Sequence, residues 1–158
     1  MKRMIDYQAL ADFRYEIRRF LNFSERDAQA RGIEPQQHQA LLAIKGCPKG
    51  SLTTIGTLAE RLQVRHHTAG ELTDRLEKKG WIHRSRCRDD ARKVSLHLTR
   101  GGEKLLKTLS VSHGDELRTA GPRLLAALHS VLVDNGQPRN RFKKKPAARN
   151  KQNSGGRI

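Results

Sequence analysis

The chain has 158 residues, with 32 Lys and Arg against 16 Asp and Glu for a formal charge of +16; hydrophobic residues make up 35% and aromatics 4%. That is lean for a globular chain and points to one modest domain whose core is completed by a partner chain. No window reaches the roughly 18 consecutive apolar residues of a membrane span, the basic start lacks the apolar run of a secretory signal, and two cysteines without a Cys-x-x-Cys pair make neither a disulfide framework nor a zinc site, so a reducing cytoplasm is expected.

From residue 6 to about 31, Leu10, Phe13, Ile17, Phe20, Leu21 and Ala28 recur at helical spacing, and Gly32 closes the run. A helix of roughly 24 residues is about 36 Å long, which for so small a chain implies packing against something outside the monomer core. Pro35 opens a second helix with Ala40, Leu41 and Ile44 inward, and residues 45–50 read as a loop. Thr53 or Thr54 caps a third helix through Leu62. A fourth runs from His66 to about residue 79 with Ala69, Leu72 and Leu76 inward, and Gly80 ends it. The period then changes to two over residues 81–85 and 93–98, with the polar tip 86–92 between them. Thr99 caps a fifth helix with Leu105, Leu106, Leu109 and Leu117 inward; Ala120-Gly121-Pro122 interrupts it, and Leu124, Leu125, Leu128, Val131 and Leu132 make a sixth.

The charge is uneven. Residues 61–107 hold 13 basic and 6 acidic side chains and residues 137–158 hold 8 and none, whereas residues 1–60 hold 9 and 7 and residues 108–136 hold 2 and 3. Two separate cationic surfaces follow, and nucleic acid is the commonest polyanion they would meet. No basic amphipathic helix with an aromatic face supports a membrane partner. The tail, 137–158, is too polar to offset the entropy of ordering and is expected to be disordered, either as a non-specific DNA arm or as a solvated appendage.

Three short helices followed by a hairpin define a mainly α (α+β) winged helix-turn-helix with long flanking helices. In such a motif the second helix of the pair enters the major groove. Its exposed face here would carry His66, His67, Thr68, Gly70, Glu71, Asp74 and Arg75, preceded by Arg65. Side chains near its start reach base edges and its first amides favour a phosphate. Arg84, Arg86, Arg88, Arg92 and Lys93 gather along a hairpin thin enough for a minor groove, whose negative potential favours arginine.

At these residues the sequence resembles the MarR family of bacterial transcription regulators. The similarity lies in Leu58-Ala-Glu-Arg-Leu-Gln-Val64, Leu72-Thr-Asp-Arg-Leu-Glu-Lys-Lys-Gly80, Trp81-Ile82-His83-Arg84, Asp90-Ala91-Arg92 and Leu98-Thr99-x-x-Gly102. It covers about residues 6–134 in element order and is specific mainly over 55–106. The resemblance implies a homodimer in which a dimerisation helix (1–34) and C-terminal dimerisation helices (101–136) interdigitate around a DNA-binding domain (35–100), with the basic tail (137–158) outside. It also implies that Arg92 enters the minor groove and that Asp90 orients the wing arginines. Arg65 departs from the small capping residue usual at its place, and His66-His67 is an unusual pair there.

Other readings of the same residues are weaker. His66 and His67 point about 100° apart on a helix and lack partners of the right spacing, so no metal and no cofactor are expected. Cys87, between Arg86 and Arg88, is a redox candidate because those cations lower a thiol's pKa; Cys47 is expected to pack inertly. Phe13, Ile17, Phe20, His38 and Leu42 are candidates for a pocket holding a small aromatic effector, although helix-spaced apolar residues are more often simple core. Asp89-Asp90 sits among cations and balances charge. No nucleophilic triad or phosphate loop is present, so no enzymatic activity is expected. The expected function is a sequence-specific regulator of double-stranded DNA, acting as a dimeric repressor relieved by a small-molecule or redox signal. The alternative is a non-specific nucleoid or nucleic-acid packaging protein.

Overall fold

The computed structural model describes residues 6–48, 51–86 and 93–133. Helix α1 spans Tyr7–Ala30, and Asp6 caps it by accepting from the Ala9 amide at 3.0 Å. It ends where Gly32 takes a positive φ of 75°, a conformation that costs a Cβ-free residue nothing. Helix α2 spans Pro35–Lys45; Pro35 fills the first turn, where no amide is needed, and Gln37 reaches back to the Glu34 amide. Helix α3, Ile55–Leu62, starts at a Thr54–Thr57 capping box. Gln63 turns the chain in the left-handed region, and helix α4 follows as His66–Lys78.

Strands β1 (Ile82–Arg86) and β2 (Val94–Leu98) pair antiparallel, with Ile82 opposite Leu98 and Arg86 opposite Val94. The Leu96 amide also donates to the Thr53 carbonyl at 2.8 Å, which ties the hairpin to the approach of α3. The core is a single cluster that includes Ile33, Leu41, Leu58, Leu72, Leu76, Ile82, Leu96 and Leu109. It draws on α2, α3, α4, the hairpin and α5, so the helix pair and the wing are held by one set of side chains.

Helix α5 runs unbroken from Arg100 to Leu132. The expected interruption at residues 120–122 is therefore corrected: Pro122 lies inside one 33-residue helix. Proline removes one ladder hydrogen bond but does not by itself stop a helix whose face is held elsewhere. Here Ala120 is buried, and Arg123 reaches Glu16 of α1 at 3.7 Å. Among the described residues no helix is long and apolar enough to cross a membrane.

Much apolar surface on α1 and α5 stays uncovered in the single chain. Tyr7, Leu10, Tyr15 and Leu21 on α1 and Val111, Leu117, Leu125 and Leu132 on α5 are exposed, Leu125 to 67%. Leu117, expected inward, is among them.

Candidate nucleic-acid interface

The turn between α3 and α4 is three residues long, and the face of α4 opposite the core is open. Ala69, Leu72, Thr73 and Leu76 are buried, and Thr73 returns its hydroxyl to the Ala69 carbonyl at 2.7 Å. His66, His67, Glu71, Asp74 and Arg75 are exposed, while Thr68 and Gly70 are half-buried. A Cβ on Gly70 would meet nothing within 4 Å, so its neighbourhood is open. Arg65 holds the N-cap position in extended backbone but makes no side-chain cap bond. The departure noticed in the sequence thus leaves the first amides of α4 without a side-chain acceptor at the cap.

Arg75 and Arg84 are already engaged within the protein. Arg75 lies 3.6 Å from Glu34. Arg84 donates to Asp74 and to Glu77, both at 2.5 Å, and its amide donates to Glu77 at 3.2 Å. The Asp74 hydrogen bond, the largest influence, together with both carboxylate charges, raises the Arg84 pKa against the opposing effect of burial. Arg86 is exposed at the end of β1 and Lys93 is exposed just before β2. Cys87, Arg88, Asp90 and Arg92, which carry the tip of the expected wing contact and the redox candidate, lie outside the described residues, as does the tail.

The base of the wing is locked to α5 by a compact device. Thr99 accepts from the Gly102 amide at 3.1 Å, donates its hydroxyl to the Gly80 carbonyl at 2.7 Å, and donates its amide to the Trp81 carbonyl at 3.0 Å. A Cβ on Gly102 would stand 2.0 Å from that same Trp81 oxygen. Only glycine lets the helix start this close to the hairpin. The Thr-x-x-Gly spacing in the sequence is thus the docking of α5 onto the wing.

The expected effector residues differ in burial. Phe13, Ile17 and Phe20 are half-buried on α1, and on α2 His38 is buried whereas Leu42, one turn later, is 49% exposed. His38 packs on His113 of α5, with ring centroids 4.7 Å apart, and Phe20 and Phe23 meet His113 edge-on. Asp27 lies 3.6 Å from the His113 Nε2. Burial, the largest cause, lowers the pKa of both histidines; each also feels a nearby positive group, and Asp27 opposes the shift. His113 escaped the sequence reading, although it stands four residues after Leu109 and so on the same helical face. A separate cleft of about 290 Å³ is lined by Lys45, Cys47, Thr53, Ser95, His97 and Glu103 among others, and by none of the five expected residues. Cys47 is half-buried there, beside the Ser51 carbonyl. Among the described residues no cluster of three or more His, Cys, Asp or Glu could hold a metal ion.

A sequence profile of the MarR family matches residues 31–93. No curated protein sequence matches the chain significantly. The fold is similar to that of MepR, a transcription regulator of the Staphylococcus aureus multidrug efflux pump MepA, with a TM-score of 0.66 and 20% identity over 81% of this chain and 97% of that one. Wild-type MarR from E. coli in its apo form gives 0.63 and 22% over 82% and 96%. AbsC, a MarR family transcriptional regulator from Streptomyces coelicolor, gives 0.64 and 19% over 85% and 93%. The α2-to-wing segment thus matches the MarR family profile, and the chain as a whole has a winged helix-turn-helix fold similar to that of these regulators.

Proposed function

We propose that the protein is a homodimeric, sequence-specific transcriptional regulator of double-stranded DNA, acting as a repressor in the cytoplasm and without enzymatic activity. The observation that carries this reading is the open outer face of α4, with Arg65, His66, His67 and Thr68 at its start and a cationic hairpin beside it. A helix so presented fits a major groove, and a two-stranded ribbon fits the adjacent minor groove. Arg86, Arg88, Arg92 and Lys93 supply the wing's charge and Asp90 orients it. A MepR variant has been solved bound to an oligodeoxyribonucleotide, at 22% identity to this chain, which supports the reading by likeness.

The dimer follows from the apolar faces of α1 and α5. Eight large hydrophobic side chains on these two helices are left in water by a single chain, and a second copy would bury them. Residues 1–34 and 101–136 then serve dimerisation, 35–100 serve DNA binding, and 137–158 form a basic arm. An effector such as a small aromatic molecule would act beside Phe13, Ile17, Phe20 and His38, where α1 meets the DNA-binding part.

The test is affinity of the full chain for a site selected from random DNA and for unselected DNA, across salt concentrations. A regulator keeps a selected site about a thousandfold tighter or more, the lower end of the range for specific binders. The packaging alternative, favoured by the eight cations of residues 137–158, predicts equal affinities and a steep common salt slope.

A further inference from the structure

Asp74 and Glu77 stand out because they are acids on a helix read as facing a polyanion. They lie three residues apart on α4 and so share one face, which meets β1. Both carboxylates converge on one strand residue, with Arg84 spanning them through two guanidinium nitrogens at 2.5 Å while Glu77 also takes the Arg84 amide at 3.2 Å. The Arg84 side chain is 28% exposed, whereas Asp74 is 68% exposed. Three hydrogen bonds from a single residue therefore join the outer face of α4 to the first strand of the hairpin.

We propose that Asp74, Arg84 and Glu77 form a clamp that sets the angle between the recognition helix and the wing, and that Arg84 is a positioning residue, not a phosphate contact. The inference rests on the DNA-binding reading above. A rigid pair of carboxylates suits the planar fork of arginine, which lysine cannot reproduce. Arg84 also offsets one of the two negative charges that these acids would otherwise present to a phosphate backbone. Its role is geometric: helix and ribbon can enter neighbouring grooves together only if the angle between them is held.

The charge arithmetic gives the test an unusual sign. Asp74→Asn with Glu77→Gln removes two negative charges beside the DNA. If Arg84 were a phosphate contact restrained by these acids, freeing it would tighten binding and steepen the logarithmic salt slope by about 0.9. The clamp predicts the reverse, a loss of about three- to tenfold in affinity for the selected site, with the slope unchanged. Arg84→Ala should lose as much, add no further loss on the double-variant background, and be only weakly rescued by Arg84→Lys. Dimer size and thermal unfolding are followed in parallel; the exposed Asp74→Asn single variant serves if the double variant unfolds. Tighter or unchanged binding by the carboxylate variants, or full rescue by lysine, overturns the clamp while leaving DNA binding intact. Absence of any DNA binding by the unaltered chain overturns both.

Discussion

Two adjacent glycines at the start of α5 should respond to alanine with opposite signs. At Gly102 the new Cβ would lie 2.0 Å from the Trp81 oxygen and 3.0 Å from its carbonyl carbon. Since real Cβ atoms essentially never come nearer than 3.0 Å, α5 and the Trp81 peptide must separate by about an ångström. Overpacking of this kind costs roughly 1–3 kcal/mol. The same displacement strains the Thr99 bonds to Gly80 and Trp81, each worth about 1 kcal/mol. We expect Gly102→Ala to destabilise by about 2–4 kcal/mol. At Gly101 the added Cβ would meet only Thr99 Oγ1 at 3.6 Å and the Gly80 oxygen at 4.0 Å, both ordinary contacts. Gly101→Ala should therefore be neutral or stabilising by up to about 1 kcal/mol, because alanine narrows the unfolded ensemble. The assay is equilibrium denaturation in urea at fixed protein concentration, since an associating chain has concentration-dependent stability. A Gly102→Ala midpoint equal to that of the unaltered chain would refute the docking geometry.

That pair of glycines also shows what the sequence could and could not disclose. Thr99-x-x-Gly102 was readable as a motif, but which of the two glycines is sterically required depends on the Trp81 carbonyl, a contact 21 residues away in the chain. Helices α1 to α4 were legible because their apolar periods, Pro35, the Thr54 cap and Gly80 agree with one another locally. Pro122 misled because local propensity favours a break, whereas tertiary packing along α1 carries the helix through. Arg84 counted as a free cation in sequence; its carboxylate partners are ten and seven residues earlier on another element and cannot be assigned from spacing alone. Nor does spacing disclose burial among the pocket candidates. Leu42 and His38 are four residues apart on α2, yet one is exposed and the other buried.

Three further outcomes are expected. Because burial lowers the folded-state pKa of His38 and His113, the unfolded chain takes up protons first as pH falls below about 6.5. Their contribution to stability is complete above that value and is lost as pH falls towards the folded-state values, at up to about 1.4 kcal/mol per pH unit for each histidine. Urea midpoints measured from about pH 8 down to about pH 5 should fall accordingly, and His113→Gln should flatten the profile; a flat profile in the unaltered chain contradicts the buried pair. Leu125→Glu places a charge on a side chain 67% exposed in one chain and should shift the molecule from dimer to monomer in sedimentation; a dimer of unchanged strength would remove Leu125 from the interface. Arg86→Ala should lower the salt slope of DNA binding by about 0.9 and weaken specific and random DNA by similar factors, as loss of one phosphate contact would; an unaltered slope excludes that contact.

The central claim is that each protomer of a dimer places α4 in a major groove and the wing in the flanking minor groove. The direct measurement is chemical footprinting on a selected site, with guanine N7 methylation reporting the major groove and hydroxyl radicals reporting the minor groove. The account predicts two N7-protected segments about one helical turn apart, related by a dyad, each flanked on its outer side by a short minor-groove protection. Uniform protection along the fragment, or protection confined to one groove, would contradict it.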